Sequence, residues 1–212
     1  MTGPRLGGSP RGGDVLALVL ADLRGWDHER RDATTACVTP PGGPTCTLEV
    51  RAELRKLMRL HTTAVHLDGP ATDSGAHLVL RHTGQVRRRG LAARIRGTDG
   101  DGQVARLQER LLADGELEAA SLALDFTRFE VAPVDGRWRA TLELMGASHV
   151  WTRIPPGGSY VRLAEDQVEA LAATLRVLAD RLPATPATAD RTRVDLRPDD
   201  PAPPPRHLPP RR

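Results

Sequence analysis

Arginine dominates the chemistry that this sequence can offer. Arg81, Arg87, Arg88, Arg89, Arg94 and Arg96 fall within residues 76–97, a stretch without one acid. A guanidinium fork holds phosphate or carboxylate through two parallel hydrogen bonds, so the cluster points to anion binding. Two features limit that reading. Residues 77–83 and 91–96 alternate like β-strands, and successive strand side chains point to opposite faces, so the six cannot all share one patch. Nucleic acid is also held by aromatic platforms or by a recognition helix, and this chain has only 3 Trp, 1 Tyr and 2 Phe. A solvated or cross-strand-paired arginine surface is the competing account.

Other chemistries are poorly served. The histidines come as His61/His66 and His77/His82, a spacing that puts partners on opposite strand faces. No metal site is expected from them, and His149 beside Trp151 reads as a strand residue. Cys37 and Cys46 are too few for a disulfide framework. They could pair across the intervening loop, but two free thiols is the favoured reading, and zinc needs about four ligands. Pro155-Pro156-Gly157-Gly158-Ser159 lacks the lysine and spacing of a phosphate loop, and no Gly-x-Ser-x-Gly elbow occurs. Asp99-Gly100-Asp101-Gly102 lacks the later glutamate of a calcium loop. Glu116 and Glu118 have no acid–base context. Without a recognisable nucleophile, metal set or cofactor loop, an enzyme ranks behind a binding module, and no cofactor is expected.

The charge balance belongs to the ends of the chain. Of a net +3 over 212 residues, Arg5 and Arg11 give +2 to residues 1–13; six Arg and four Asp give +2 to residues 183–212; residues 14–182 carry −1. Lys56 is the only lysine, a sign of GC-rich codon usage that weakens arginine content as evidence for nucleic-acid binding. Residues 1–13 (Gly, Pro and Arg) and residues 183–212 (nine prolines among Asp and Arg) cannot bury enough apolar surface to fold. Pro203-Pro204-Pro205 suits polyproline II. The apolar run from Val15 to Leu20 is short and soon followed by Asp22 and Arg24, unlike a leader peptide. No run approaches membrane-spanning length. A soluble cytoplasmic protein without membrane association is the expectation.

Between the ends, Asp14 caps a helix predicted over residues 14–26, with Leu16, Val19, Leu20 and Leu23 on its stripe. Residues 15–20 could instead be a strand. The segment is expected to serve as an attachment or homo-oligomer contact. Residues 27–45, including Thr39-Pro40-Pro41-Gly42-Gly43-Pro44, read as a flexible loop. Residues 47–54 alternate apolar and polar, although Val50, Leu54, Leu57 and Met58 also fit a helix. Strand is favoured, with a bulge at Arg55-Lys56 and continuation to Leu67. Strands follow at 77–83 and 91–96, then a helix with the stripe Val104, Leu107, Leu111 and Leu112. A strand at 121–131 and a turn at Pro133-Val134-Asp135-Gly136 lead to strands at 137–144 and 149–154. Met145-Gly146-Ala147-Ser148 separates the last two, and Pro155-Pro156-Gly157-Gly158 ends strand geometry.

The closing helix is the best defined. Val168, Leu171, Leu175, Leu178 and Leu182 recur at helical spacing. Glu165 and Asp166 suit its positive end, Arg176 and Arg181 its negative end, and Pro183 stops it. DGQVARLQERLLAD (101–114) and EDQVEALAATLRVLAD (165–180) echo one another, which raises a possible strand–strand–helix duplication. The fold class is α+β over residues 47–182: an antiparallel sheet of four to six strands with two helices on one face.

RHTGQVRRRG (81–90), LALDFTRFEV (122–131), LELMGASHVWTRIPP (142–156) and SYVRLAEDQVEAL (159–171) resemble an uncharacterised bacterial family of unknown function, over about residues 47–182. The resemblance implies one domain and assigns no catalytic residues. The functional expectation is a non-catalytic module that binds a protein partner or small ligand on the uncovered sheet face, near Arg81, Arg87, Arg89 and Arg139. Nucleic acid or another polyanion held by residues 81–96 is the alternative.

Overall fold

The computed structural model of the chain describes residues 11–84 and 89–182. Helix α1 (Gly12–Asp22) is followed by β1 (Asp27–Arg30), β2 (Thr35–Thr39), β3 (Cys46–Arg55), β4 (Met58–Ala71), β5 (His77–Thr83) and β6 (Gly90–Arg96). Then come α2 (Gln103–Leu112), a 3-10 turn, short α3 (Glu116–Ser121), β7 (Phe126–Val134), β8 (Arg137–Arg153), β9 (Pro156–Val161) and α4 (Glu165–Arg181). The strands form one antiparallel sheet in the order β1-β2-β3-β4-β8-β7-β5-β6, with β9 also on β8.

One face of this sheet is apolar because strand side chains alternate and the register keeps their phase. Ala36, Leu48, Val65, Leu142, Phe129, Leu80 and Ala93 are successive cross-strand partners from β2 to β6. Leu67, Ala140, Val131, Leu78 and Ile95 form a second row beside them. Onto these rows the helices lay Val15, Leu16, Val19 and Leu20 of α1, Val104, Leu107 and Leu111 of α2, Leu117 of α3, and Leu171, Leu175 and Leu178 of α4, in one continuous core.

The α+β class and the large antiparallel sheet agree with the sequence. The counts do not: among the described residues the sheet has nine strands against four to six expected, and α2, α3 and α4 stand where two helices were expected in addition to the one at 14–26. Residues 27–45 are not a loop, because Thr35-Ala36-Cys37-Val38-Thr39 is a short alternating strand that buries Ala36 and Val38. Helix α1 ends at Asp22, and its stripe is spent inside the chain's own core rather than left for another subunit. Asp14 is its third residue; the Asp14 carboxylate accepts the Arg11 backbone N–H at 2.9 Å. At Arg55–Met58 a tight hairpin takes the place of the expected bulge.

Residues 116–121 form a short helix, so the strand expected over 121–131 begins only at Phe126. Leu117 and Ser121, four apart, are both buried, and the Ser121 hydroxyl donates to the Glu118 carbonyl at 3.2 Å. Residues 137–153 are one strand, not two, with an irregularity opposite His61 and Thr63. Pro156 begins β9 instead of ending strand geometry, following a cis Ile154–Pro155 bond. A proline is acceptable there because β9 is an edge strand, paired only with β8. A hairpin followed by a helix occurs as β5–β6–α2 and as β8–β9–α4.

Core and periphery should respond differently to the same truncation. Leu142 is fully buried at the sheet centre, whereas Leu54 is 77% exposed. Leu142→Ala is expected to cost about 2–5 kcal/mol in urea denaturation, and Leu54→Ala less than about 0.5 kcal/mol.

Candidate functional site

The face of the sheet opposite the helices is polar, and most of its charges answer each other. Arg51 donates to Glu49 at 2.7 Å, and Arg139 to Asp68 at 2.6 Å. Arg128 is paired with Glu130 along β7. His66 sits between Thr141 (3.0 Å) and Glu49 (3.2 Å). Burial lowers its pKa against the opposing pull of Glu49. Arg51, helped by His66, holds the Glu49 carboxyl below its ordinary value against the opposing effect of burial. Arg139 belongs to this neutralised part of the face.

At the β5–β6 edge the pattern changes. Arg81 is the cross-strand partner of Ala92, and Arg94 that of Val79, while Arg96 lies opposite His77. Leu78, Leu80, Ala93 and Ile95 take the core side of these strands, so Arg81, Arg94 and Arg96 share the polar side. They line a shallow depression of about 270 Å³ with Val79 and Ala92. Among the described residues none of the three has an ion-pair partner. Arg89 stands apart at the hairpin end, where its N–H donates to the Thr83 carbonyl at 2.9 Å. Arg87 and Arg88 lie outside the described residues.

A second surface lies at the other end of the longest strands. The outer halves of β3, β4 and β8, together with β9, extend as a four-stranded arm. Its tip exposes Leu54 (77%), Leu57 (58%) and Ile154 (74%). Leu54, Arg59 and Trp151 are consecutive cross-strand partners. With Leu57 they border an open depression of about 520 Å³ whose rim carries Arg55, Lys56 and Arg153. Arg55 is answered by Glu53 at 3.0 Å, but Lys56 and Arg153 have no ion-pair partner among the described residues. Sequence reasoning missed this surface: the turn residues Lys56-Leu57 carry none of the Gly, Asn or Pro that announce a hairpin.

The arm joins the body through buried polar residues. Ala52, His61, His149 and Tyr160 form one cross-strand row. His61 is 2% and His149 0% exposed, with ring centroids 6.2 Å apart. Among the described residues, Nδ1 of His61 and both ring nitrogens of His149 lack hydrogen-bond partners. Asp22, at the end of α1, accepts from the Tyr160 hydroxyl (2.8 Å), Arg162 Nε (3.0 Å) and the Leu163 backbone N–H (3.1 Å). Burial first, then Asp22, raises the Tyr160 pKa. Nothing in the sequence links residues so far apart along the chain.

His77 and His82 do take opposite faces, and His82 turns to the core side, 3.1 Å from the Ser121 carbonyl. Among the described residues no group of three or more His, Cys, Asp or Glu is placed to hold a metal ion. Cys37 and Cys46 are free. Their cross-strand partners are Thr47 and Val38, so the two thiols point to opposite faces. Burial, then Asp68, pushes the Cys46 thiol up to about 12. No helix among the described residues is long and apolar enough to cross a membrane.

An α+β chain with one large antiparallel sheet, helices on one face and a polar surface on the other, is the class that this geometry defines. Residues 21–182 match the family described as "Protein of unknown function (DUF3156)", and the chain belongs to that family. No curated protein and no solved structure matches it.

The buried histidines make stability depend on pH. Burial lowers the pKa of His61 below the ordinary 6.5, helped by His149 and Arg59, and burial alone lowers that of His149. In the unfolded chain both protonate near their ordinary value, and in the folded chain only below it. Their contribution is therefore intact above about pH 6.5 and is lost as the pH falls toward the depressed folded values. Each such proton contributes a slope of at most about 1.4 kcal/mol per pH unit. Denaturation at a series of pH values should show the decline. His61→Phe with His149→Phe should flatten it, leaving the part due to His66.

Proposed function

We propose that the chain is a non-catalytic binding module that docks a protein partner at the tip of the arm. The observation that carries this reading is the run of exposed apolar residues, Leu54, Leu57, Met58 and Ile154, around Trp151. Contiguous exposed apolar surface on a chain with a well-formed core marks an interaction site. Aromatic and aliphatic anchors of this kind supply most of the affinity in an interface. Lys56 and Arg153 give the rim a positive balance. The matching partner segment is apolar, with carboxylates on its flanks. Two copies of the same tip would oppose like charges, which argues against self-association there. A cytoplasmic setting, with Cys37 and Cys46 kept as thiols, belongs to this proposal.

The test uses a synthetic amphipathic helical peptide of Leu and Glu, and the same peptide with Lys for Glu. Trp151 is a built-in reporter, since Trp26 and Trp138 are only 6% and 2% exposed. The acidic peptide should shift the emission and the basic one should not. Leu57→Asp with Ile154→Asp should weaken binding at least about tenfold, and deletion of residues 183–212 should leave it unchanged. No response to the acidic peptide, or equal binding by the double variant, overturns the proposal. Binding to anionic vesicles without binding to the peptide would assign the tip to a lipid surface instead.

A further inference from the structure

We infer that the β5–β6 edge carries a second, independent binding site, in which Arg81, Arg94 and Arg96 hold a linear chain of phosphate groups. Other arginines of the same face are already engaged, Arg137 by donating to the Gly69 carbonyl at 3.0 Å. Arg51, Arg128 and Arg139 each lie against a carboxylate, Glu49, Glu130 and Asp68. The carboxylate nearest the edge in the register is Glu130, opposite Val79, and it is committed to Arg128. Arg81, Arg94 and Arg96 are left with three positive charges on one side of two adjacent strands and no acid to answer them.

Register sets their spacing. Arg94 and Arg96 are two residues apart on β6, about 7 Å along the strand. Arg81 is diagonal to Arg94, because its direct partner is Ala92, and diagonal neighbours are also about 7–8 Å apart. The three guanidiniums therefore follow a line across the hairpin, from the Arg96 end to Arg81. Between them the floor is small and apolar, Val79 and Ala92, which lets an extended ligand lie close to the backbone.

The shape excludes other anions. A depression of about 270 Å³ on an open strand pair is too shallow to enclose a nucleotide, whose pockets bury most of the ligand. Trp, Tyr and Phe are missing from its lining, so bases would find no stacking platform. An extended acidic segment would also set alternate carboxylates about 7 Å apart, but it carries one charge per 7 Å where a phosphate chain carries one on every unit. A flexible phosphate chain places successive charges on successive guanidiniums, each able to bind bidentately. The recognised chemistry is the phosphate chain itself, whether of inorganic polyphosphate or of a single nucleic-acid strand. Charged residues on an edge strand also discourage sheet-to-sheet pairing. That role needs charge at the edge, but not three unanswered cations in a line on one face.

Anisotropy with a fluorescent oligo-dT and with labelled inorganic polyphosphate, on the full-length protein at about 50 mM salt, tests the site. Binding should weaken with salt with a log–log slope near −2 for three contacts to a single strand. Arg81→Gln/Arg94→Gln/Arg96→Gln should lose about tenfold or more in affinity for the preferred probe. Arg51→Gln/Arg128→Gln, on the same face but paired, should change it less than about twofold. A clear preference for oligo-dT or for polyphosphate names the source, and equal affinity supports recognition of the chain alone. If neither probe binds, or if both triple and paired-control variants bind like the unmodified protein, the arginine-rich ends or nothing at all are responsible, and the inference is overturned. Thermal melting of each variant separates loss of binding from loss of fold.

Discussion

A single strand has to serve three neighbours, and the rest of the molecule follows from how it does so. β8 pairs β4 along most of its length, but its other edge is shared: residues 137–144 pair β7 and residues 148–153 pair β9. The change of partner falls at an irregularity. Thr63 pairs Leu144 and His61 pairs His149, so five positions on β8 span what two span on β4. A regular strand would turn a side chain five positions on to the opposite face. The extra residues restore the phase, so that Leu144 and His149 both face the helix side.

Holding that irregularity takes several unrelated segments. Ala147 adopts φ +56, a left-handed conformation uncommon for alanine. Its carbonyl accepts from the Thr63 hydroxyl at 2.5 Å. The Met145 N–H donates to the Asp125 carbonyl at 2.7 Å, while the Asp125 side chain accepts from Gln167 of α4 at 3.0 Å. A Cβ on Gly146 would come within 2.8 Å of Leu163 Cδ2, so a larger residue here would have to displace the Leu163 side chain. The bulge, the loop before β7 and the start of α4 are thereby fixed together. Asp22 performs the same service on the other side, joining α1 to β9 and to the residues that lead into α4. Beyond these two anchors no helix of the described residues covers the tip of the arm, where Leu54, Leu57 and Ile154 are exposed.

What the sequence disclosed and what it withheld follow the range of the interactions involved. The periodicity of Val168 to Leu182 is local and reads directly as a helix; the alternation of residues 77–83 reads directly as a strand. Ala36 and Val38 were obscured by the Pro-Gly run beside them, and β8 looked like two strands because the bulge breaks the alternation. At the site, the arginines were visible as residues, but not that Arg81, Arg94 and Arg96 would share a face while Arg89 stands apart. That depends on Arg81 meeting Ala92, a matter of register. Nor could composition disclose that Glu49, Asp68 and Glu130 would be spent on other arginines. The arm's apolar tip was hidden for a different reason: Leu54 and Leu57 look like core residues until the extent of the helical layer is known.

The two proposed surfaces sit where the folded chain stops compensating itself. Across the middle of the polar face Arg51, Arg128 and Arg139 each have an anion, and such exposed pairs contribute little to stability, about 0–1 kcal/mol each. Their effect is on recognition: a neutralised surface offers no net field to a charged ligand. At the β5–β6 edge the compensation ends and the field is positive. At the arm tip it is the apolar compensation that ends, because sheet continues where helix does not. The exposed side chains of both surfaces lie outside the buried core, so substitution there leaves the core contacts untouched. Binding at either surface can therefore be altered without unfolding the body, and the separation between stability and recognition is itself a property of this arrangement of strands.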